Sequence, residues 1–191
     1  MEQNINNNAP IEKQLNIKEN HGSVFLTKKS RFSKRFEKLN NEVENDERYE
    51  GTMESFKYYL TKLDGIDAET KLSDGGFNER EVISAIRKKE KYSKSLQINR
   101  FFKSAQWIDS QLFAKIKMDF DAFIIPLIDK QSPKEEILKE VVINVVQPIL
   151  DLINLEGEDD DVLNYNADDI FGMVYYLTGQ CHLNWKNYDN V

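Results

Sequence analysis

The fold class is decided by the C-terminal stretch Asn166-Ala-Asp-Asp-Ile-Phe-Gly-Met-Val-Tyr-Tyr-Leu-Thr-Gly-Gln-Cys-His-Leu-Asn-Trp185. Asn166 can accept a hydrogen bond from the free backbone N–H groups at the start of a helix, and Asp169 lies in the positively polarised first turn. Gly179 can adopt the left-handed conformation that ends a helix. The stretch therefore predicts a short helix with defined caps at both ends.

After this helix the chain alternates between apolar and polar residues. A period of two is typical of an extended segment with one buried face. The pattern predicts buried side chains at Cys181, Leu183 and Trp185 and exposed side chains at His182, Asn184 and Lys186. We therefore expect the chain to continue as a short extended segment that packs on the rest of the protein.

Helical periodicity also dominates residues 31–155, where apolar residues recur every three or four positions and strand signals are nearly absent. Asn78 and Glu81 have the spacing of a capping box, and Ser132-Pro133 is typical of a further helix start. The sequence predicts a mainly α protein. We expect a bundle of five or six helices with a disordered N-terminal tail and a short extended C-terminal segment.

Composition divides the chain into three regions. Residues 1–27 form an Asn-rich segment without a sustained apolar period, which predicts a flexible tail. The net charge of −7 is unevenly placed, because residues 1–95 carry 18 Lys and Arg against 17 Asp and Glu, whereas residues 96–191 carry 8 against 16. We therefore expect an N-terminal helical region with basic clusters at 28–95 and an acidic helical domain at 96–191.

The sequence also excludes several classes of protein. No apolar run approaches the roughly 20 residues of a membrane helix, and the start lacks the features of a signal peptide, which favours the cytoplasm. A single cysteine excludes an intrachain disulfide and a zinc site built from several thiolates. Two histidines are too few for a convincing zinc or di-iron site, so we expect neither a metal nor a cofactor.

Catalytic motifs are missing from the sequence as well. It contains no glycine-rich phosphate loop, no G-x-S-x-G elbow and no H-E-x-x-H motif. Cys181-His182 suggests a nucleophile and its base, but adjacent residues of an extended segment point to opposite faces. Packing is the better interpretation of this pair, with Cys181 as a small buried apolar residue and His182 as a polar surface group or a capping group. We expect no catalytic residue and no enzymatic activity.

Two basic clusters are candidates for contact with nucleic acid. They comprise Lys28, Lys29, Arg31, Lys34, Arg35 and Lys38 in the first and Arg87, Lys88, Lys89, Lys91 and Lys94 in the second. Each cluster can neutralise several phosphates if its side chains share one face. The alternative is that they pair with carboxylates of the acidic half.

One helix carries two apolar faces where one would suffice. Trp107, Met118 and Ile125 lie opposite the main apolar stripe, and Ile143 lies on the polar side of the following helix. The helix is either covered on both sides by the bundle or presents a docking face for a partner protein, with Trp107 as the anchor.

The C-terminal stretch resembles the C-terminal domains of bacterial ABC-three-component conflict systems, which share a Gly-Met-x-Tyr-x-Leu-Thr-Gly helix followed by Cys-His-x-x-Trp. The matching positions are Gly172, Tyr175, Gly179, Cys181, His182 and Trp185. The resemblance implies an antiviral or anti-plasmid assembly with an ABC or SMC-like ATPase and a small middle component. We interpret the chain as a non-enzymatic adaptor subunit, which can also self-associate. The alternative is a regulator that binds nucleic acid through the basic helices.

Overall fold

The computed structural model describes residues 28–188. The predicted flexible segment at 1–27 therefore lies outside the described residues, as do residues 189–191.

The described residues form seven continuous helices and contain no strand, which confirms the predicted helical bundle. Their bounds are Arg31–Glu44 (α1), Glu54–Leu60 (α2), Ala68–Asp74 (α3), Glu79–Asn99 (α4), 103–129 (α5), 134–156 (α6) and Ala167–Gly179 (α7). The sequence predicts five or six helices, so the described residues contain at least one more than expected. Within residues 28–188, no helix is both long and apolar enough to cross a membrane.

The predicted caps of two helices are present. Asn78 and Glu81 form a capping box at the start of α4, and Asn166 and Asp169 form another at the start of α7. Each box satisfies backbone N–H groups that lack a partner within the helix. The start of α6 differs from the prediction, because Pro133 directly precedes the first helical residue and no side chain caps it.

The two longest antiparallel helices, α5 and α6, each contain a π-helical segment. These segments are Phe120–Ile124 and Val142–Val146, and they lie against each other. A proline follows each segment by two residues, at Pro126 and Pro148. A proline ring clashes with the carbonyl four residues earlier in an α-helix. The wider π turn accommodates the ring, so both helices continue through their prolines.

Helices α4 and α7 approach each other closely at Gly172. A Cβ atom placed at Gly172 would lie 2.7 Å from the carbonyl oxygen of Lys88 and 2.7 Å from Cβ of Tyr92. Only glycine therefore allows the two backbones to approach this closely. Tyr92 is fully buried at this crossing and packs against the rings of Phe113 and Tyr176.

The C-terminal segment packs on the bundle as predicted at Leu183 and Trp185, but two details differ. Gly179 is the last residue of α7, and the left-handed residue that follows the helix is Cys181, with φ of 68°. His182, which we expected at the surface, is only 5% exposed. The left-handed turn at Cys181 breaks the strict alternation on which that expectation rests, and it places His182 against α2.

Replacing Gly172 with alanine should destabilise the protein, because the new methyl group would push against the backbone of α4. We expect the free energy of unfolding to fall by about 1–3 kcal/mol, measured by urea unfolding. Gly65 is the matched control, because a Cβ atom placed there would have nothing within 4 Å. Equal stability of the Gly172→Ala and Gly65→Ala proteins would contradict the close crossing.

Candidate partner-binding surfaces

One predicted basic cluster and one predicted apolar anchor come together in a groove between α1 and α5. The groove has a volume of about 450 Å³, and its lining consists of Arg31, Lys34, Arg35, Lys38 and Trp107. The four cations follow the spacing i, i+3, i+4 and i+7, which places them on one face of α1. The sequence indicated the cations and the tryptophan separately, and the packing of α1 on α5 joins them.

Trp107 forms the wall of this groove. Its ring meets the ring of Phe32 edge-on, with 5.2 Å between centroids, and the guanidinium of Arg35 lies 5.0 Å from the ring centroid. The protein itself therefore covers part of the Trp107 side chain. Of the remaining predicted cations, Lys28 and Lys29 are exposed at the start of α1, and Lys29 pairs with Glu37.

The second basic cluster is largely neutralised within the chain. Lys91 forms a salt bridge of 2.7 Å with Asp169, and Lys88 pairs with Asp168. Both carboxylates lie in the first turn of α7, so they also interact favourably with the helix dipole. Lys89 pairs with its neighbour Glu90, and Arg87 is exposed. This cluster mainly ties α4 to α7.

The residues predicted to share a second apolar face have different surroundings. Met118 is 60% exposed, Ile125 is half-buried against the core, and Trp107 is partly covered by α1. A π segment lies between Met118 and Ile125 and interrupts the helical period on which the prediction depends. Four exposed large apolar residues lie in or near the paired π segments, while others, such as Ile98 and Leu155, lie elsewhere. The four are Met118, Phe123, Val142 and Ile143, exposed by 60, 49, 44 and 48%.

The C-terminal motif is held by a polar cluster that sequence reasoning missed. Lys71 is completely buried, and its Nζ donates hydrogen bonds to Asp64 Oδ2 at 2.8 Å and to Asn184 Oδ1 at 2.6 Å. The thiol of Cys181 lies 2.6 Å from Asp64 Oδ1. Burial favours the neutral acid, but the hydrogen bonds from Cys181 and Lys71 lower the pKa of Asp64 to about 2. The cluster therefore fixes the segment to the start of α3.

Two further motif residues pack in aromatic surroundings. The His182 ring lies 5.0 Å from the ring of Tyr58 and 5.3 Å from that of Tyr59, measured between centroids. Burial lowers the pKa of His182, which favours the neutral imidazole. Trp185 is buried, and its Nε1 donates to Thr178 Oγ1 at 3.0 Å. Both side chains hold the last segment against the bundle.

A family model describes this part of the chain. The model of C-terminal domain 9 of the ABC-three component (ABC-3C) systems matches residues 67–185. The chain belongs to this family. Comparisons with curated proteins and with solved structures found no match.

The bounds of the ABC-3C match coincide with structural landmarks. The match begins at Asp67, the residue that caps α3, and ends at Trp185. It includes the α4–α7 crossing, both π segments, and Lys71, Cys181 and Asn184 of the polar cluster, whereas α1, α2 and Asp64 precede it. The basic groove therefore combines Trp107 of the family domain with cations that lie outside the match.

The ABC-3C domain also contains a buried acid that carries no sequence signal. Asp109 is completely buried in α5 and accepts a hydrogen bond of 2.7 Å from the hydroxyl of Tyr165. Burial raises the pKa of Asp109 to about 7, and the hydrogen bond from Tyr165 offsets this only in part. Within residues 28–188, no group of three or more His, Cys, Asp or Glu is arranged to hold a metal ion.

Asp109 predicts a specific dependence of stability on pH. Its folded pKa of about 7 lies above the unfolded value of about 4, so the folded protein holds an additional proton between these values. The contribution of this residue to stability is complete below the unfolded pKa and is lost as the pH rises through the folded pKa. Asp109→Asn removes the titration. The free energy of unfolding of the variant, relative to the wild type, should therefore rise between about pH 4 and 7. Urea unfolding across this range measures it, and parallel curves for the two proteins would contradict the buried titration.

Proposed function

We propose that this chain is a non-enzymatic adaptor subunit of a bacterial ABC-3C conflict system. It acts in the cytoplasm in defence against viruses or plasmids and couples to an ABC or SMC-like ATPase and a small middle component. The observation that carries this proposal is the match of residues 67–185 to the C-terminal domain 9 family. The family is defined by its occurrence in systems of several components, and this favours a role for the domain in assembling those components.

The motif residues support a structural role for the C-terminal segment. Cys181 contacts Asp64, and His182 packs between two tyrosines, so both side chains are engaged with the bundle. A nucleophile and its base need to share a reacting atom. Here the imidazole and the thiol contact different neighbours, which favours packing over catalysis.

The exposed apolar residues near the π segments support a binding role. Large apolar side chains that stay exposed on a stable bundle are candidates for contact with another protein. Met118 and Ile143 belong to the two antiparallel helices whose π segments touch, and each is about half exposed or more. π segments occur frequently at functional sites. We therefore assign the partner contact to this part of α5 and α6.

Replacing Met118 and Ile143 with glutamate should weaken association with the ATPase or the middle component by at least about tenfold, because charged groups would enter an apolar contact. Co-purification of the complex and calorimetric titration measure this effect. Since both side chains are exposed, the thermal midpoint and helicity of the isolated variant should match the wild type.

The matched control replaces Ile98 and Leu155 with glutamate. These residues are exposed by 68 and 75% and lie away from the π segments, with Leu155 on α6 itself. The control should bind as the wild type does. Unchanged binding of the Met118/Ile143 variant would place the contact elsewhere, and failure of the wild type to bind either component would refute the adaptor role.

A further inference from the structure

The basic groove carries a concentration of positive charge that residues 28–188 do not neutralise. Within the described part of the chain, Arg31, Lys34 and Arg35 form no salt bridge. Lys38 has one long contact, with 3.9 Å between its Nζ and Oε1 of Glu42. Glu42 is already engaged, because it accepts hydrogen bonds from the backbone N–H and the hydroxyl of Ser104. Four cations thus line one open groove in a protein with a net charge of −7.

Several lysines outside the groove have carboxylate partners. Salt bridges join Lys71 to Asp64, Lys88 to Asp168, Lys91 to Asp169, Lys115 to Asp119, Lys117 to Asp121 and Lys134 to Glu81. The groove is therefore a local positive field on an acidic body, and such a field selects and steers an anionic partner.

Trp107 gives the groove an apolar wall beside its charges. The indole remains partly exposed while Arg35 and Phe32 hold its ring in place. Tryptophan and arginine are the residues most enriched among the energetic centres of protein interfaces. Because the ring is already oriented, little conformational entropy would be lost on binding.

We propose that this groove binds a short acidic segment of another protein component of the same assembly, with carboxylates on the α1 cations and an apolar side chain against Trp107. The proposal rests on the adaptor function and names the chemistry of a second contact, distinct from the apolar one on α5 and α6. The cations come from α1, which precedes the family match, so the groove is specific to chains that carry this helix.

The dimensions and borders of the groove favour an acidic peptide over a nucleic acid. The cationic stripe from Arg31 to Lys38 is about 10 Å long, which corresponds to about three or four residues of an extended peptide. Beyond its C-terminal end lie the exposed acids Glu44, Asp46 and Glu47. A polynucleotide would carry its phosphates past the stripe towards these carboxylates, which would repel them.

The opposite flank of α1 is acidic as well. Ser33 donates to Glu156 at 2.5 Å, and Asn40 donates to the backbone carbonyl of Asp159 at 2.6 Å. These bonds hold the acidic loop at 156–161 along the helix. Carboxylates therefore border the stripe beyond Lys38 and across α1, whereas the exposed Lys28 and Lys29 lie before its start.

The test uses the full chain in complex with the ATPase and the middle component. In Arg31→Glu/Lys34→Glu, two exposed cations are reversed while the contact between Arg35 and Trp107 remains. The affinity for the acidic component should fall by at least about tenfold, and the dependence of binding on ionic strength should become weaker. Lys57→Glu/Lys62→Glu changes the net charge equally at exposed positions outside the groove and should bind as the wild type does.

A photoreactive side chain at position 34 identifies the occupant. Lys34→p-benzoylphenylalanine should crosslink to a segment rich in Asp and Glu within the ATPase or the middle component. If the Arg31/Lys34 variant binds like the wild type, or if the crosslinked segment is not acidic, the groove proposal is wrong while the adaptor function stands. If the wild type binds neither component, the adaptor function itself is wrong.

The same proteins decide between peptide and nucleic acid. We expect a single-stranded oligonucleotide to bind the wild type no more tightly than the Arg31/Lys34 variant. The contrary result is that the wild type binds the oligonucleotide, the variant does not, and nuclease treatment disrupts assembly of the complex. That result would overturn the proposal of an acidic protein segment and make nucleic acid the occupant of the groove.

Discussion

The close crossing of α4 and α7 at Gly172 is the constraint on which the rest of the structure depends. With no side chain between them, the two backbones meet, and Tyr92 is enclosed completely. Around this ring, Phe113 and Tyr176 stack and connect the crossing to α5. The paired charges at the start of α7 fix its register along α4. Buried contacts of this kind contribute most of the stability of a helical bundle, since isolated helices of these lengths are marginal.

The crossing also brings basic residues of α4 into contact with acidic residues at the start of α7. Asp168 and Asp169 lie against the basic side of α4. Lys88 and Lys91 of the second basic cluster therefore form salt bridges within the folded protein. Arg31, Lys34 and Arg35 of the first cluster have no such counterpart within the described residues and stay open beside Trp107. A surface that remains charged after the intramolecular pairs have formed is the one available to a partner. Which cations form intramolecular pairs and which stay open therefore depends on which helix faces the acidic first turn of α7.

Local signals in the sequence predict much of the fold. They predict less well which side chains meet in the candidate binding surfaces. The capping boxes at Asn78 and Asn166 were predictable, because each depends on residues three positions apart. The family resemblance was likewise readable in the C-terminal motif. Lys71 had no local signal, because its partner Asn184 is 113 positions away in the chain. The π segments were not predicted, because a wider helical turn leaves no distinct spacing of apolar residues in the sequence. Pro126 and Pro148, each two residues after a π segment, are the signal that could have indicated them.

Native-state hydrogen exchange tests the central claim most directly. If the α4–α7 crossing holds the bundle together, the slowest amides of both helices should exchange only through global unfolding. Their free energies of opening should then equal the free energy of unfolding measured with urea. Slow amides in α5 and α6 should also exchange through global unfolding, because Phe113 and Asp109 join α5 to the same core. Exchange of α7 through a separate opening of lower free energy, with α4 still protected, would contradict the account.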